Sequence, residues 1–315
     1  MKIQIKKAKA QKKTIIYMKR YLPLYLMMLP GLIYLIINNY MPMGGIIIAF
    51  KKYNYAKGIF GSPFVGLKNF EFLFKTKEAW TITRNTLVYN LIFIILGTVL
   101  AIAVAIILNE IKSKMAKKVY QTMILIPFLI SIVVVSYLVY GFLSTDAGFV
   151  NNSILKVMGK EEIGWYSEPK YWPGILIFIN IWKNLGYNCI IYYATVVGLD
   201  TSLYESAAID GANRWQKIYH VTLPGLKPTI ITLTLMAVGR IFYSDFGLFY
   251  QVPMNSGPLI DVTNTIDTYV YRGLMELNNI GMASAAGLYQ SLVGFILVLI
   301  ANLIVRKLDK SSALF

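Results

Sequence analysis

Charge is scarce in this chain. Asp, Glu, Lys and Arg make up 15% of its 315 residues, where a soluble domain carries about a quarter. Hydrophobic residues supply 57%, so the deficit fits a lipid-facing protein better than one with a water-facing surface. Acid is scarcer than base, with 15 Asp and Glu against 31 Lys and Arg and a net charge of +16. Those bases lie mostly between apolar spans and not along one basic-aromatic stripe, which points to a membrane surface and away from nucleic acid. The one cysteine, Cys189, sits inside an apolar span; it cannot form an intrachain disulfide and has no partners for a zinc site. The one histidine, His220, has no second ligand nearby, so no metal is expected. No G-x-x-x-x-G-K-[ST] phosphate loop occurs: Gly159-Lys160 is followed by Glu161. ATP hydrolysis would then have to come from another chain. No HExxH, serine-histidine pair or carboxylate pair supports an intramembrane enzyme. No internal repeat, low-complexity tract or soluble domain stands out, and the first is a mark against an ion-driven secondary transporter.

What is present is long apolar runs. A helix needs about 20 apolar residues to cross a bilayer, and six candidates run at 21–39, 86–108, 120–143, 172–199, 228–250 and 280–305. The basic N-terminus is followed by no small-residue cleavage site, so the first run is expected to stay as a helix. The expected organisation is a basic segment 1–20, a transmembrane domain 21–305 with a polar loop at 200–227, and a tail 306–315. With the N-terminus cytoplasmic, 18 basic residues fall inside and 11 outside, which favours both termini in and an even number of spans.

The loop reads as helix, turn, helix over Tyr204–Tyr219. Ser202 is the expected N-cap, with Glu205 three residues on as in a capping box. Gly211 breaks the helical pattern. Trp215, Ile218 and Tyr219 give an apolar face that an amphipathic helix lying on a membrane would also show. Pro224 and Pro228 are expected to end the helix and open the fifth span.

Two charges lie within the spans. Arg240 is about 12 residues past the start of the fifth span, roughly 18 Å deep, and Lys183 is about as deep in the fourth. Each costs about 2.5–3.5 kcal/mol on insertion scales, so neither should face lipid. A water-filled path and a structural partner, Asp245 for Arg240 or a carbonyl at a helix break, stand equal. Asn184, Asn188, Tyr192 and Tyr193 form one polar-aromatic patch; Tyr243, Asp245, Tyr250 and Gln251 form another. Such patches offer the hydrogen bonds and flat platforms that sugars need, and interfacial tyrosine is the plainer reading of Tyr250.

The segment Glu205-Ser-Ala-Ala-Ile-Asp210-Gly211-Ala-Asn-Arg-Trp215, with Leu223-Pro224 beyond it, resembles the EAA loop of ATP-binding-cassette (ABC) importer permeases. Phe64-Val-Gly-Leu-Lys-Asn69-Phe, Asn85-Thr-Leu, Ile181-Trp-Lys-Asn-Leu-Gly186-Tyr-Asn188, Asp245-Phe-Gly-Leu-Phe-Tyr-Gln251 and Ile266-Asp267-Thr-Tyr-Val-Tyr-Arg272 extend the likeness over nearly the whole chain. Their order and spacing are similar to LplB-like polysaccharide permeases, on the MalF-like side of a heterodimer. Ser206 stands where the family often has alanine. The resemblance implies an all-α, polytopic bacterial plasma-membrane protein with the type I importer fold and a cytoplasmic coupling helix. It implies docking roles for Glu205, Ala207, Asp210, Gly211, Arg214 and Pro224, while the charges and patches within the spans make Lys183, Asn184, Asn188, Tyr192, Tyr193, Arg240, Tyr243, Asp245 and Gln251 the substrate-path candidates. It also implies a second permease, an ATPase dimer carrying ATP and magnesium, an extracellular solute-binding protein and an oligosaccharide substrate, with no cofactor on this chain. An ion-driven transporter of a small polar solute is the alternative.

Overall fold

A computed structural model describes residues 21–308, all of it helix, turn and loop apart from an antiparallel bridge between Lys51 and Phe64. The basic segment 1–20 and the end of the tail lie outside the described residues. The chain divides into two units, one ending at Asn69 and one running from Phe70.

The first unit carries α1, Tyr21–Phe50, which is apolar enough to cross a membrane. It runs on past residue 39: a π turn spans Ile36–Tyr40, and Pro42 sits at the opening of the next helical turn, where proline is tolerated. Beyond α1 a compact excursion closes on itself. Lys51, 9% exposed, donates from Nζ to the carbonyls of Ile59 at 2.9 Å and Phe60 at 3.0 Å. Asn69 Nδ2 donates to the Ala49 and Lys51 carbonyls, both at 2.9 Å. Lys51, one of the basic residues of this segment, is therefore internal scaffolding.

The second unit contains α2 (Lys77–Glu110), α3 (Lys114–Leu129), α4 (Ile132–Leu143), α5 (Trp172–Val197), α6 (Thr201–Ile209), α7 (Arg214–Val238), α8 (Ile266–Met275) and α9 (Ile280–Leu308). With α1, the described residues hold five helices long and apolar enough to span, and six if α3 and α4 count as one. The apolar run 120–143 is not one straight helix. It bends by 94° between α3 and α4. Pro127 in the last turn of α3 removes a donor and its ring clashes with the preceding turn, so the helix stops at Leu129. By contrast α5 is unbroken: Lys183 and Asn184 lie in mid-helix without interrupting it.

The fifth run departs most from expectation. Pro224 and Pro228 do not end a helix. A π turn at Ile218–Thr222, closed by the Leu223 N–H on the Ile218 carbonyl, precedes Pro224 and leaves room for its ring, so α7 runs unbroken from Arg214 to Val238. The apolar run then breaks over residues 239–245, before a second π turn at Gly247–Gln251.

Two apolar cores flank these breaks. One gathers Tyr89, Val135, Trp172, Leu176, Ile179, Leu248, Phe249, Val252 and Leu259. The other gathers Ala101, Ala105, Leu108, Cys189, Tyr192, Val196 and Leu226. Helices α2 and α5 pass through both. Cys189 is fully buried, as a packing residue.

Candidate coupling loop and substrate path

The loop after α5 is built by local capping. Asp200, and not Ser202, caps α6: its carboxylate accepts the Ser202 N–H at 2.9 Å. That hydrogen bond holds the Asp200 carboxyl below the usual carboxylate range. Ser202 already lies inside the helix, so no capping box engages Glu205. Glu205 is exposed, and among the described residues its side chain makes no hydrogen bond or ion pair. Gly211 turns the chain at φ +77°, a left-handed conformation that favours glycine. Asn213 then caps α7 in a reciprocal box with Gln216, at 3.0 and 2.7 Å. Ala207 is half-buried; Asp210 and Pro224 are exposed.

The loop is also tied down. Arg214 pairs with Glu110 at the end of α2 at 2.8 Å, and the Tyr204 hydroxyl meets Thr222 Oγ1 at 2.9 Å, joining α6 to the π turn. Ile209 is 87% exposed and Trp215 78%. The result is a short, fixed helix pair presenting apolar side chains and two carboxylates, Glu205 and Asp210, that have no partner among the described residues, continuous with a membrane helix.

The second set of residues gathers at the breaks. Thr195 on α5 meets Thr229 on α7 at 3.2 Å. Asn188 and Asn184 lie seven and eleven residues back along α5, and Arg240 eleven beyond Thr229. At 1.5 Å per residue, Asn184 is about 16 Å and Val238, the last residue of α7, about 14 Å from that contact, and Arg240 follows two residues on, in the break. Arg240 is exposed, and among the described residues its guanidinium has no partner. Asp245 does not pair with it. Asp245 instead accepts the Leu248 N–H at 3.1 Å and starts the next helical turn. Lys183 is partnered: Nζ donates to the carbonyls of Pro127 at 3.4 Å, Phe128 at 3.1 Å and Ile130.

The remaining candidates scatter. Asn184 donates to the Asn180 carbonyl; Asn188 and Gln251 are half-buried, with no side-chain hydrogen bond among the described residues. Tyr192 belongs to the apolar core, and Lys117 lies over the Tyr193 ring. Tyr243 is 42% exposed, 3.4 Å from Ser291. Tyr250 stacks on Phe246 and reaches Glu276.

Sequence reasoning missed what holds the fifth-span break. Asp267 Oδ2 accepts the Ser244 N–H at 2.7 Å and Gln290 Nε2 at 3.0 Å, and the Ser244 hydroxyl lies 2.7 Å away. Gln290 also donates to the Phe242 carbonyl, and Asn90 Nδ2 to those of Ile241 and Tyr243. Backbone groups freed at a break in a membrane need such partners. Asn90 and Gln290, polar residues inside long apolar runs, were the available signal.

Residues 94–310 match the family described as binding-protein-dependent transport system inner membrane component. The chain belongs to this family. It is thus a multi-pass permease subunit of the cell membrane. The permease is 34% identical over 306 residues to the polygalacturonan/rhamnogalacturonan transport system permease protein YteP of Bacillus subtilis, covering 97% of this chain and 94% of the relative. It is 32% identical to protein LplB of the same organism, over 92% of this chain and 90% of that one. Among solved structures it is similar to a chain of a bacterial ABC transporter involved in the import of the acidic polysaccharide alginate, with 33% identity and a TM-score of 0.86 over 94% of this chain and 99% of the other. The permease is therefore a transport subunit of the ABC importer class.

Proposed function

We propose that this permease imports an acidic oligosaccharide, handed over by an extracellular binding protein, with ATP hydrolysis by a separate ATPase dimer driving the cycle. It would pair with a second, homologous permease, and six spans with both termini cytoplasmic follow from the 18-to-11 distribution of basic residues. Magnesium and ATP belong to the ATPase. The observation that carries the ATP-driven reading is the exposed helix pair fused to α7. A displacement applied at Trp215 passes through one continuous helix to Val238, beside the break that bears Arg240, and Glu205 on α6 is joined to that helix by the Tyr204–Thr222 contact. Such a rigid connection suits rocking between inward- and outward-facing states.

The acidic substrate class is supported by the polygalacturonan and alginate carried by its relatives' transport systems and by Arg240. An unpartnered guanidinium at membrane depth needs a compensating anion or water, and a uronate carboxylate matches its planar fork of donors. Asn184, Asn188, Tyr243 and Gln251 are the accompanying hydrogen-bonding candidates.

Reconstitution tests this reading. The permease with its partner subunit, ATPase and binding protein should take up a galacturonate trisaccharide into vesicles only with hydrolysable ATP, and its methyl ester far more slowly. Uptake that survives without ATP and collapses when the ion gradient is dissipated would establish the ion-driven alternative.

A further inference from the structure

We infer that Lys183 is a positioning residue, which sets the third-span bend and, through it, the far side of the break presenting Arg240; this rests on Arg240 being the residue that meets substrate. The argument starts from a helix end in a membrane. Pro127 stops α3 at Leu129, so the last carbonyls of α3 run short of helical donors, the Pro127 carbonyl keeping only the Ile130 N–H at 3.3 Å, and they carry the negative end of its dipole. Lys183 supplies an ammonium there, directed at the carbonyls of Pro127, Phe128 and Ile130. One group resolves two problems of burial: the Phe128 and Ile130 carbonyls gain a donor and that of Pro127 a second one, and the lysine charge gains a counter-dipole. Two neighbours on the same face of α5 reinforce the contact. A Cβ at Gly186 would fall 1.9 Å from the Ile124 carbonyl oxygen, so only glycine lets α5 approach α3 this closely. The Tyr187 ring stacks on Phe128 with centroids 4.7 Å apart.

The bend then has a consequence on the fifth span. Directly after it, Ile132 opens α4 and abuts Gly247, where a Cβ would lie 2.5 Å from Ile132 Cγ2. Gly247 begins the π turn that follows the break, and Val135 of α4 joins Leu248, Phe249 and Val252 in one core. The direction of α4 therefore seats residues 247–252. Asp267, Gln290 and Asn90 hold residues 241–244. Arg240 is displayed between α7 and this seated segment. Lys183 thus acts on the path without touching substrate, since its charge is matched within the fold, and the choice between charged and neutral sugars falls to Arg240.

The test uses the full complex, with variants Lys183→Met, Lys183→Arg, Gly247→Ala and Arg240→Gln. Amide hydrogen exchange over residues 127–133 and 239–247 should rise at least about fivefold in Lys183→Met. Lys183→Arg, which keeps a donor within reach, should restore most of the protection. Gly247→Ala removes no charge and should raise exchange at 239–247 alone, and it reads the same coupling if Lys183→Met does not assemble. In uptake, Lys183→Met should lower the maximal rate for galacturonate trisaccharide and its methyl ester by the same factor, whereas Arg240→Gln should erase the preference between them. Unchanged exchange at 239–247 in both Lys183→Met and Gly247→Ala overturns the inference. So does a Lys183→Met complex whose preference between the two sugars shifts as in Arg240→Gln. The exchange measurement needs no substrate: if neither sugar is carried, the proposed substrate class fails while the positioning role is still decided.

Discussion

Single residues in this permease separate sharply into those whose bonding capacity is met inside the fold and those left over. Glu205 is left over. It faces solvent with no partner among the described residues, because Asp200 already caps α6. Glu205→Gln keeps size and hydrogen-bonding capacity and removes only charge. It is expected to weaken ATPase association or substrate-stimulated hydrolysis, with membrane insertion unchanged. Complexes that retain full ATPase content and full coupled transport would refute the docking role. Asp200 behaves differently. Its folded pKa lies below its unfolded value of about 3.9, so its cap is intact above that value and is lost as pH falls through the folded pKa. Loss of this cap should accordingly contribute nothing to any change in ATPase binding between pH 8 and 5, so Asp200→Asn should leave the shape of the binding profile over that range as it is in the wild type. Gly211 tests the turn itself. Gly211→Ala forces a side chain into a left-handed conformation at about 1–2 kcal/mol, so it should lower the thermal midpoint of the docked complex, and Gly211→Asn should recover part of the loss.

Elements carry the mechanical claim. The run from Arg214 to Val238 is one helix because the π turn at Ile218–Thr222 accommodates Pro224. Inserting two glycines between His220 and Val221 should disconnect the loop from the membrane helix, at about 1 kcal/mol of helix propensity for each glycine. ATPase association should persist, while uptake per ATP hydrolysed falls several-fold. Uptake per ATP at the wild-type value would show that α7 does not transmit the motion. This element was only partly legible in the sequence. The apolar run and the prolines were visible, but proline reads as a stop, and the π turn that absorbs it depends on a shift of hydrogen-bond register that leaves no compositional mark. Likewise the break at 239–245 lay hidden in an apolar run. Its polar supports, Asn90, Asp267 and Gln290, come from three other helices or their neighbours.

At the scale of the whole molecule, the two apolar cores and the polar level between them suit alternating access, in which packed halves move against each other about interrupted helices. Topology is the matching prediction. Ser113 and Asp261 are both exposed, and Cys189 is buried, so labelling reads the introduced thiols. In intact cells Asp261→Cys should react with an impermeant maleimide and Ser113→Cys should not. The opposite pattern would reverse the orientation.

The chain by itself determined its class. Apolar runs of membrane length, few charges and the order of short motifs place it among the permeases, because spacing along a chain is a one-dimensional property that a sequence displays directly. The helix-turn-helix after residue 200 was readable for the same reason, since capping and turn preferences act within four residues. What the tertiary structure alone decided is which polar residues are satisfied. Lys183 and Arg240 look equivalent in sequence, each a lone cation inside an apolar run. Packing sets the first against the broken end of α3 and leaves the second open. The expected partner of Arg240, Asp245, is turned to the backbone of its own segment. Distances between helices set these pairings, and a single sequence does not record them.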